Sequence, residues 1–341
     1  MEEKKLLTVT IPCYNSQNYM DHAIETALVG GKYVEILIVD DGSTDKTLEI
    51  GKEYESKYPD IIRVIHKENG GHGSAVNTGI AHATGLFFKV LDSDDWFDKE
   101  SLKKVLRLIH HVNKNEIPLD LIITNYVYEK PSLNRHKSIH YKGTFTPNKF
   151  LTWDEAKHFK ITNNLLMHAL MYRTEVLRAS GLKLPEHTFY VDNIFAFMPL
   201  NSAKKLVYLN TDLYRYYIGR DDQSVNETVM IGRIDQQIKI TKIMIDDFDY
   251  ENIHSEKLKN YLLQYLSMMM IVSSVFLVKD GSEESLKKRE ELWNYLKDKN
   301  PEIYRIISRK KFGGLLQFKS KAGLGFIKGG YTIFNKIYNF N

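Results

Sequence analysis

Four short apolar runs, each stopped by a polar turn and followed by helical spacing, constrain the fold of this chain more than any other feature. The runs span residues 6–11, 35–39, 61–65 and 86–91. Runs of this length that end at turns read as strands covered on both faces. After the first, Met20, Ala23, Ile24, Ala27 and Leu28 recur on one helical face behind Ser16, a candidate N-cap. Leu48, Gly51, Tyr54 and Tyr58 do so after the second, and Ala75, Val76, Gly79, Ile80 and Ala83 after the third. Strands alternating with helices in this way imply right-handed crossovers and a mostly parallel sheet. Ligands bind such sheets outside the carboxyl ends of the strands. The exits Tyr14 and Asn15, Asp40 and Asp41, and Asp92 and Asp94 therefore converge at one edge.

The fourth exit is the most acidic, reading Asp92-Ser93-Asp94-Asp95-Trp96-Phe97-Asp98. Aspartates gathered in one turn repel unless a cation or several donors compensate them, and hard oxygen ligands select Mg²⁺ or Mn²⁺. The competing reading is a solvated turn capping a helix that starts near Lys99, because helix N-termini favour Asp.

Further along, the spacing predicts a helix near 99–113, a strand near 119–128, a loop or hairpin over 130–150 and a strand over 166–172. A short helix over 174–180 ends at Gly181, Tyr190-Val191-Asp192-Asn193 opens an apolar helix, and 205–218 returns as strand. Beyond that the pattern is helical. At 341 residues the chain has room for a large domain and an appendage, expected at 1–225 and 226–341.

A dinucleotide-binding turn needs Gly-x-Gly-x-x-Gly after the first strand, where this chain has Pro12-Cys13-Tyr14-Asn15. The Gly70-Gly71-His72-Gly73 turn follows the third strand with the wrong spacing, and no Walker-type loop is present. A nucleotide site of carboxylates and aromatics remains: Asp40 or Asp41 accepting from a base or ribose, Tyr14 packed on a base ring, Asp94 holding a metal on a diphosphate. Taken singly, Tyr14 reads equally as core, Asp40 and Asp41 as a helix-capping turn, and His72 as a surface residue.

Cys13 is the one cysteine, which excludes an internal disulfide and a Cys-rich zinc site and suits a reducing cytoplasm. Residues 1–5 carry no signal-peptide pattern, so a cytoplasmic protein is expected. The net charge of +4 is uneven: residues 303–341 hold eight Lys and Arg and no Asp or Glu. Basic and aromatic residues together suit peripheral contact with an anionic membrane, here the inner face of the cell membrane, and no nucleic-acid motif accompanies the charge. Residues 261–278 are uncharged but include Gln264, Ser267, Ser273 and Ser274, which fits a buried packing helix better than a membrane span.

Four motifs in order, Thr10-Ile11-Pro12-Cys13-Tyr14-Asn15, Val39-Asp40-Asp41-Gly42-Ser43-Thr44-Asp45, Asn69-Gly70-Gly71 through Asn77-Thr78-Gly79, and Asp92-Ser93-Asp94-Asp95, resemble the signatures of family 2 inverting glycosyltransferases of bacterial cell-surface glycan type. The resemblance covers roughly residues 6–225 and implies a GT-A fold: an α/β, Rossmann-like, mostly parallel sheet flanked by helices, followed here by a helical C-terminal region. It implies a UDP-sugar donor, a glycan, lipid-linked or protein acceptor, and Mn²⁺ or Mg²⁺ on Asp94. By the same resemblance Asp92 lies near the ribose, Asp41 contacts the uracil, and Pro12, Tyr14, Asn15, Gly71, Asn77 and Ser93 line the donor site. Asp192 matches the family's base, although Val191 stands where Glu is usual. Arg220, with Arg215 second, matches the basic residue of a loop closing over the diphosphate. A homo-oligomer is left open. Two rival readings are a non-catalytic nucleotide-sugar-binding partner of another transferase, for which Val191 speaks, and a sugar-nucleotide nucleotidyltransferase, whose Gly-rich basic N-terminal loop is not visible.

Overall fold

The computed structural model describes residues 4–159, 164–218, 227–253 and 255–309. Arg220 and its loop, and the basic tail beyond residue 309, lie outside the described residues. The chain forms two compact units, 1–218 and 219–341.

In the first unit the alternation predicted from sequence is present as β1 (Leu7–Cys13), α1 (Met20–Leu28), β2 (Val34–Asp40), α2 (Thr47–Lys57), β3 (Ile62–His66), α3 (His72–His82) and β4 (Phe87–Val90). There follow β5 (Trp96–Phe97), α4 (Lys99–Lys114), β6 (Leu121–Lys130), β7 (Arg135–Ile139), β8 (Phe150–Leu151), β9 (Leu170–Arg173), α5 (Thr174–Ala179), α6 (Val191–Phe197) and β10 (Leu206–Tyr217). The sheet order is β3-β2-β1-β4-β9-β6-β10-β5, with β7 on β6 and β8 on β10. Every residue of β1, β2 and β4 is buried, which is why these strands read as continuous apolar runs.

Strand directions decide where the site forms. β1 is parallel to β2 and β4, β2 to β3, and β6 to β10, while β9 is antiparallel to both β4 and β6. The carboxyl ends of β1, β2, β3, β4, β6 and β10 thus share one edge with the amino end of β9. From β1 the chain winds one way to β2 and β3 and then returns to β4 on the other side, a switch point that leaves a crevice.

Three local expectations change. The strand expected over 166–172 begins only at Leu170, because Met167–Ala169 forms a 3-10 turn. Ser16 does not cap α1. That helix starts at Met20, and the Ser16 carbonyl accepts from the Tyr19 and Met20 amides at 2.9 and 3.1 Å. Over 130–150 the hairpin alternative holds at its start, where β7 folds back on β6 across a turn at Pro131–Leu133.

The second unit contains α7 (Glu227–Gly232), α8 (Ile234–Asp247), α9 (Glu256–Asp280), α10 (Glu283–Lys299) and α11 (Pro301–Arg309). Ser255 caps α9 by accepting from the Leu258 amide at 3.4 Å, and Gly281, at φ 72°, ends it in the left-handed conformation that suits glycine. α9 is long and apolar enough to cross a membrane, yet 78% of its apolar window is buried. Its serines explain that placement: Ser273 meets Thr241 of α8 at 3.1 Å, and Ser274 accepts from the Trp293 indole of α10 at 3.0 Å. The packing helix expected over 261–278 is what forms.

Candidate active site

The exits of β1 and β2 are tied to each other. Asn15, at φ 50°, donates its amide to the Ser43 hydroxyl at 3.0 Å, and its side-chain oxygen accepts from the Thr44 amide at 2.9 Å. Pro12 lies buried within β1 opposite Val39, whereas Tyr14 is 55% exposed. The sequence alternative of Tyr14 as core is excluded, leaving an aromatic face open to a flat ligand. Asp40 is buried and meets His66 Nδ1 at 2.6 Å.

Asp41, also buried, is saturated by fixed donors: the Gly70 and Gly71 amides at 3.0 and 2.7 Å and Lys67 Nζ at 2.8 Å. An ionised carboxylate accepting several such bonds is strongly held. It thereby shapes the turn before α3, and that turn carries the next segment of chain. Gly71 adopts φ +83° and a Cβ there would sit 3.1 Å from the His187 nitrogen, while a Cβ on Gly73 would sit 2.7 Å from the Pro185 carbonyl. Only glycine allows residues 185–190 to lie this close. The His187 amide donates to the Gly70 carbonyl at 2.7 Å, and Asn77 commits both ends of its amide to the Leu184 backbone at 2.8 and 3.0 Å.

Those ties deliver Asp192. It stands in the first turn of α6, behind Tyr190 at φ 65°, and accepts from the Asn193 side chain at 3.2 Å. Burial raises its carboxyl, with the charge of Asp92 adding, while His168 and His72 oppose the rise. Val191 is 3% exposed and packs as an interior residue.

At the β4 exit the capping reading is answered by Asp98, which accepts from the Ser101 amide at 2.9 Å and opens α4. Asp92 and Asp95 instead bond to side chains and backbone of other segments. Asp92 meets His72 Nε2 at 2.8 Å, lies 3.7 Å from His168 Nε2, and accepts from the Tyr214 hydroxyl at 3.2 Å. Burial would raise the Asp92 carboxyl, but the two imidazoles outweigh it and hold it well below the usual range. Asp95, 1% exposed, takes the Tyr214 hydroxyl at 2.6 Å and the Tyr217 amide at 2.8 Å. Burial and then the charges of Asp94 and Asp92 push it well up. Ser93 meets Ser16 across the β1 exit at 2.8 Å.

His72 gathers the site. Burial lowers its pKa, but Asp92 first, and then Asp192 and Asp94, outweigh burial and raise it. The charges of Asp92, Asp94 and Asp192, which lie on separate segments of the sequence, thus all bear on one partly exposed imidazole.

Among the described residues, Asp92, Asp95 and His168 have ligand atoms within 4.8 Å of one another. The Tyr214 hydroxyl lies between the two carboxylates of that group, 3.2 Å from Asp92 and 2.6 Å from Asp95. The partly exposed side of the turn carries Asp94. Its charge and that of Asp92 both bear on Asp95, an excess of negative charge on hard oxygen donors that fits a divalent cation. Arg215 is paired with Glu129 at 2.8 Å and Asp98 at 3.4 Å.

Residues 8–175 match glycosyl transferase family 2. The uncharacterized glycosyltransferase MG025 homolog of Mycoplasma pneumoniae is 30% identical over 66% of this chain and 71% of its own length. The chain belongs to glycosyltransferase family 2. The minor teichoic acid biosynthesis protein GgaB of Bacillus subtilis is 26% identical over 85% of this chain, and the chain spans 32% of that protein's length. Among solved structures, S. aureus TarS 1–349 is similar with a TM-score of 0.71 at 20% identity, covering 96% of this chain and 91% of TarS. TarS has also been solved in complex with UDP-GlcNAc, and that structure matches with a TM-score of 0.69. The fold of this family 2 member is thus the GT-A type expected from its motifs.

Two features of the site were missed in the sequence. Lys89 sits alone inside the run Phe87-Phe88-Lys89-Val90, and His168 inside Met167-His168-Ala169. A lone basic residue within a buried apolar run, a strand for Lys89 and a 3-10 turn for His168, was the available signal.

Proposed function

We propose that this protein is an inverting glycosyltransferase that moves a sugar from a UDP-sugar, with N-acetylhexosamine donors first in line, to an acceptor hydroxyl of a cell-surface polysaccharide or glycoconjugate. The observation that carries the reading is the shared sheet edge at which the parallel strands β1, β2 and β4 end in Tyr14, Asp41 and Asp92, with His72 of α3 on Asp92 at 2.8 Å. Carboxylates for a donor and a separate raised carboxyl for a base stand in one electrostatic field. The UDP-GlcNAc complex of TarS supports the donor class, and the teichoic acid role of GgaB supports the acceptor class.

In this reading Tyr14 packs on the base, with Pro12, Asn15, Asp41, Gly71 and Ser93 shaping the nucleotide side and Asn77 holding the segment toward Asp192. Asp94, with Asp92 beside it, would hold Mg²⁺ or Mn²⁺, whose charge offsets that of the diphosphate when bound. Asp192 removes the proton from the acceptor hydroxyl, the acceptor oxygen bonds to C1, and the C1–O bond to the diphosphate breaks with its electron pair leaving on UDP. Attack opposite the leaving group inverts the anomeric centre. The raised Asp192 carboxyl suits a base, since a catalytic pKa works best near the operating pH, and such help supplies roughly 10²- to 10⁴-fold. Arg220, outside the described residues, is assigned to the diphosphate. The basic stretch 303–341, of which the part beyond 309 lies outside the described residues, is assigned to peripheral contact at the cytoplasmic membrane face, near lipid-linked acceptors.

The test is UDP release from a panel of UDP-sugars with Mn²⁺ or Mg²⁺, with and without EDTA, alongside UDP binding in the same samples. Slow hydrolysis of one donor, abolished by EDTA and by Asp94→Ala, is the expected result. Absence of UDP binding would remove the nucleotide-sugar reading. Binding without release, even when acceptor extracts are supplied, would favour the non-catalytic partner.

A further inference from the structure

We propose that Lys89 is a positioning residue of the donor site that grips carbonyls of residues 167–170 and so sets the His168 ring against Asp92. The proposal deepens the reading above and rests on it for its functional consequence. The ladder between β4 and β9 covers only Phe87↔Arg173 and Phe88↔Tyr172. The residue after this ladder is Lys89, whose side chain reaches the turn that precedes β9. Its ammonium donates to the carbonyls of Met167, His168 and Leu170 at 3.0, 2.6 and 3.2 Å. It also lies 5.0 Å from the centre of the Tyr214 ring, whose hydroxyl bridges Asp92 and Asp95.

Lys89 is fully buried. Lysines are almost never found there unless paired with an opposite charge. Among the described residues, this one is satisfied by three carbonyls and a ring face instead of an ion pair. An apolar side chain would fill the same strand position at lower desolvation cost, so the ammonium is retained for what it holds. What it holds is the 3-10 turn that presents His168. That ring is clamped on three sides, stacked on Tyr216 at 4.5 Å, edge-on to Tyr214 at 4.7 Å and tilted against Tyr126 at 5.8 Å. Its Nδ1 is buried with no hydrogen-bond partner. The ring is therefore placed by its stacking, by the approach of its Nε2 to Asp92 at 3.7 Å, and by its backbone, which Lys89 grips.

The test uses the full chain labelled with ¹⁵N. Imidazole signals of His168, assigned by their loss in His168→Gln, are compared in wild type, Lys89→Met and Lys89→Arg at one pH, with His111 on α4 as reference. In Lys89→Met the His168 signals should move while those of His111 stay. UDP affinity should fall about tenfold, as when groups supporting a ligand from behind are removed. If Lys89→Met does not fold, Lys89→Arg decides, because a rigid planar fork does not match three carbonyls converging on one nitrogen and His168 should again move. Unmoved His168 signals in either folded variant would overturn the proposal, as would a shifted ring with unchanged UDP affinity. Wild-type UDP binding is measured in parallel. Its absence would remove the donor reading, while the His168 signals would still decide what Lys89 holds.

Discussion

Asp41 and Asp92 stand at exits of the same sheet, one strand apart, and are neutralised by opposite means. Asp41 is met by two backbone amides and a lysine within one short turn. Asp92 is met by two imidazoles and a tyrosine hydroxyl, all side chains from distant segments. The first arrangement makes a rigid corner from one turn, and the second assembles side chains of α3, of the turn before β9 and of β10 around one carboxylate. Rigidity at one exit supports assembly at the other, since the turn that Asp41 holds is the one on which the Asp192 segment rests.

The largest effect should come from breaking the assembled side. Asp92→Asn removes the charge that binds His72 and His168, and turnover should fall ~10²-fold or more with the fold intact. Steady-state rates and a thermal melt on the same sample check this. Asp41→Asn should do the reverse. An amide cannot accept from both glycine N–H groups, and loss of charge-assisted bonds should cost about 2–3 kcal/mol of stability, read by urea unfolding. If Asp41→Asn kept its stability and lost only turnover, the contrast between the two exits would fail.

Gly71→Ala tests how tightly the corner is fixed. With φ +83° and the His187 nitrogen 3.1 Å from the added Cβ, it should cost about 1–2 kcal/mol and lower turnover through the 185–190 segment. A subtler probe lies on pH. Burial pulls Lys89 down to about 7, against the raising charges of Asp92 and Asp95. Because its folded pKa is lower than its unfolded one, the unfolded chain binds more protons between about 7 and the ordinary lysine value, and stability contributed by this group rises with pH across that window. Denaturant midpoints at a series of pH values should show a flatter alkaline limb in Lys89→Met than in wild type. The smallest effect concerns Cys13, buried at the β1 exit, whose thiol is pushed up by burial and by the charge of Asp40. It should resist maleimide in the native protein, and rapid labelling would show that the rigid corner opens.

Much of this was legible in the sequence, for a physical reason. Strands β1, β2 and β4 are buried along their whole length, and β1 to β4 are joined by helices in sequence, so their apolar runs and polar exits declare both the elements and the edge that carries Asp41 and Asp92. Asp98 was legible as a cap in kind, although the capping reading had been spread over the whole acidic cluster. The insertion of β9 between β4 and β6 was not legible, because nothing local marks a strand as antiparallel. Lys89 and His168 were hidden for the same reason. Their partners are main-chain carbonyls and rings 78 or more residues away for Lys89, and the rings of Tyr214 and Tyr216 for His168. No spacing rule encodes such contacts. His72 was underrated because its significance lies in three carboxylates contributed by two distant segments.

The most direct test of the account is Asp192→Asn, measured for UDP affinity by calorimetry and for transfer or donor hydrolysis with the best UDP-sugar. UDP affinity within about twofold of wild type, with turnover reduced by ~10²- to 10⁴-fold, is the predicted result. Turnover that survives the substitution would contradict the assignment of Asp192 as the base and, with it, the claim that the β4 exit and α6 form one active site.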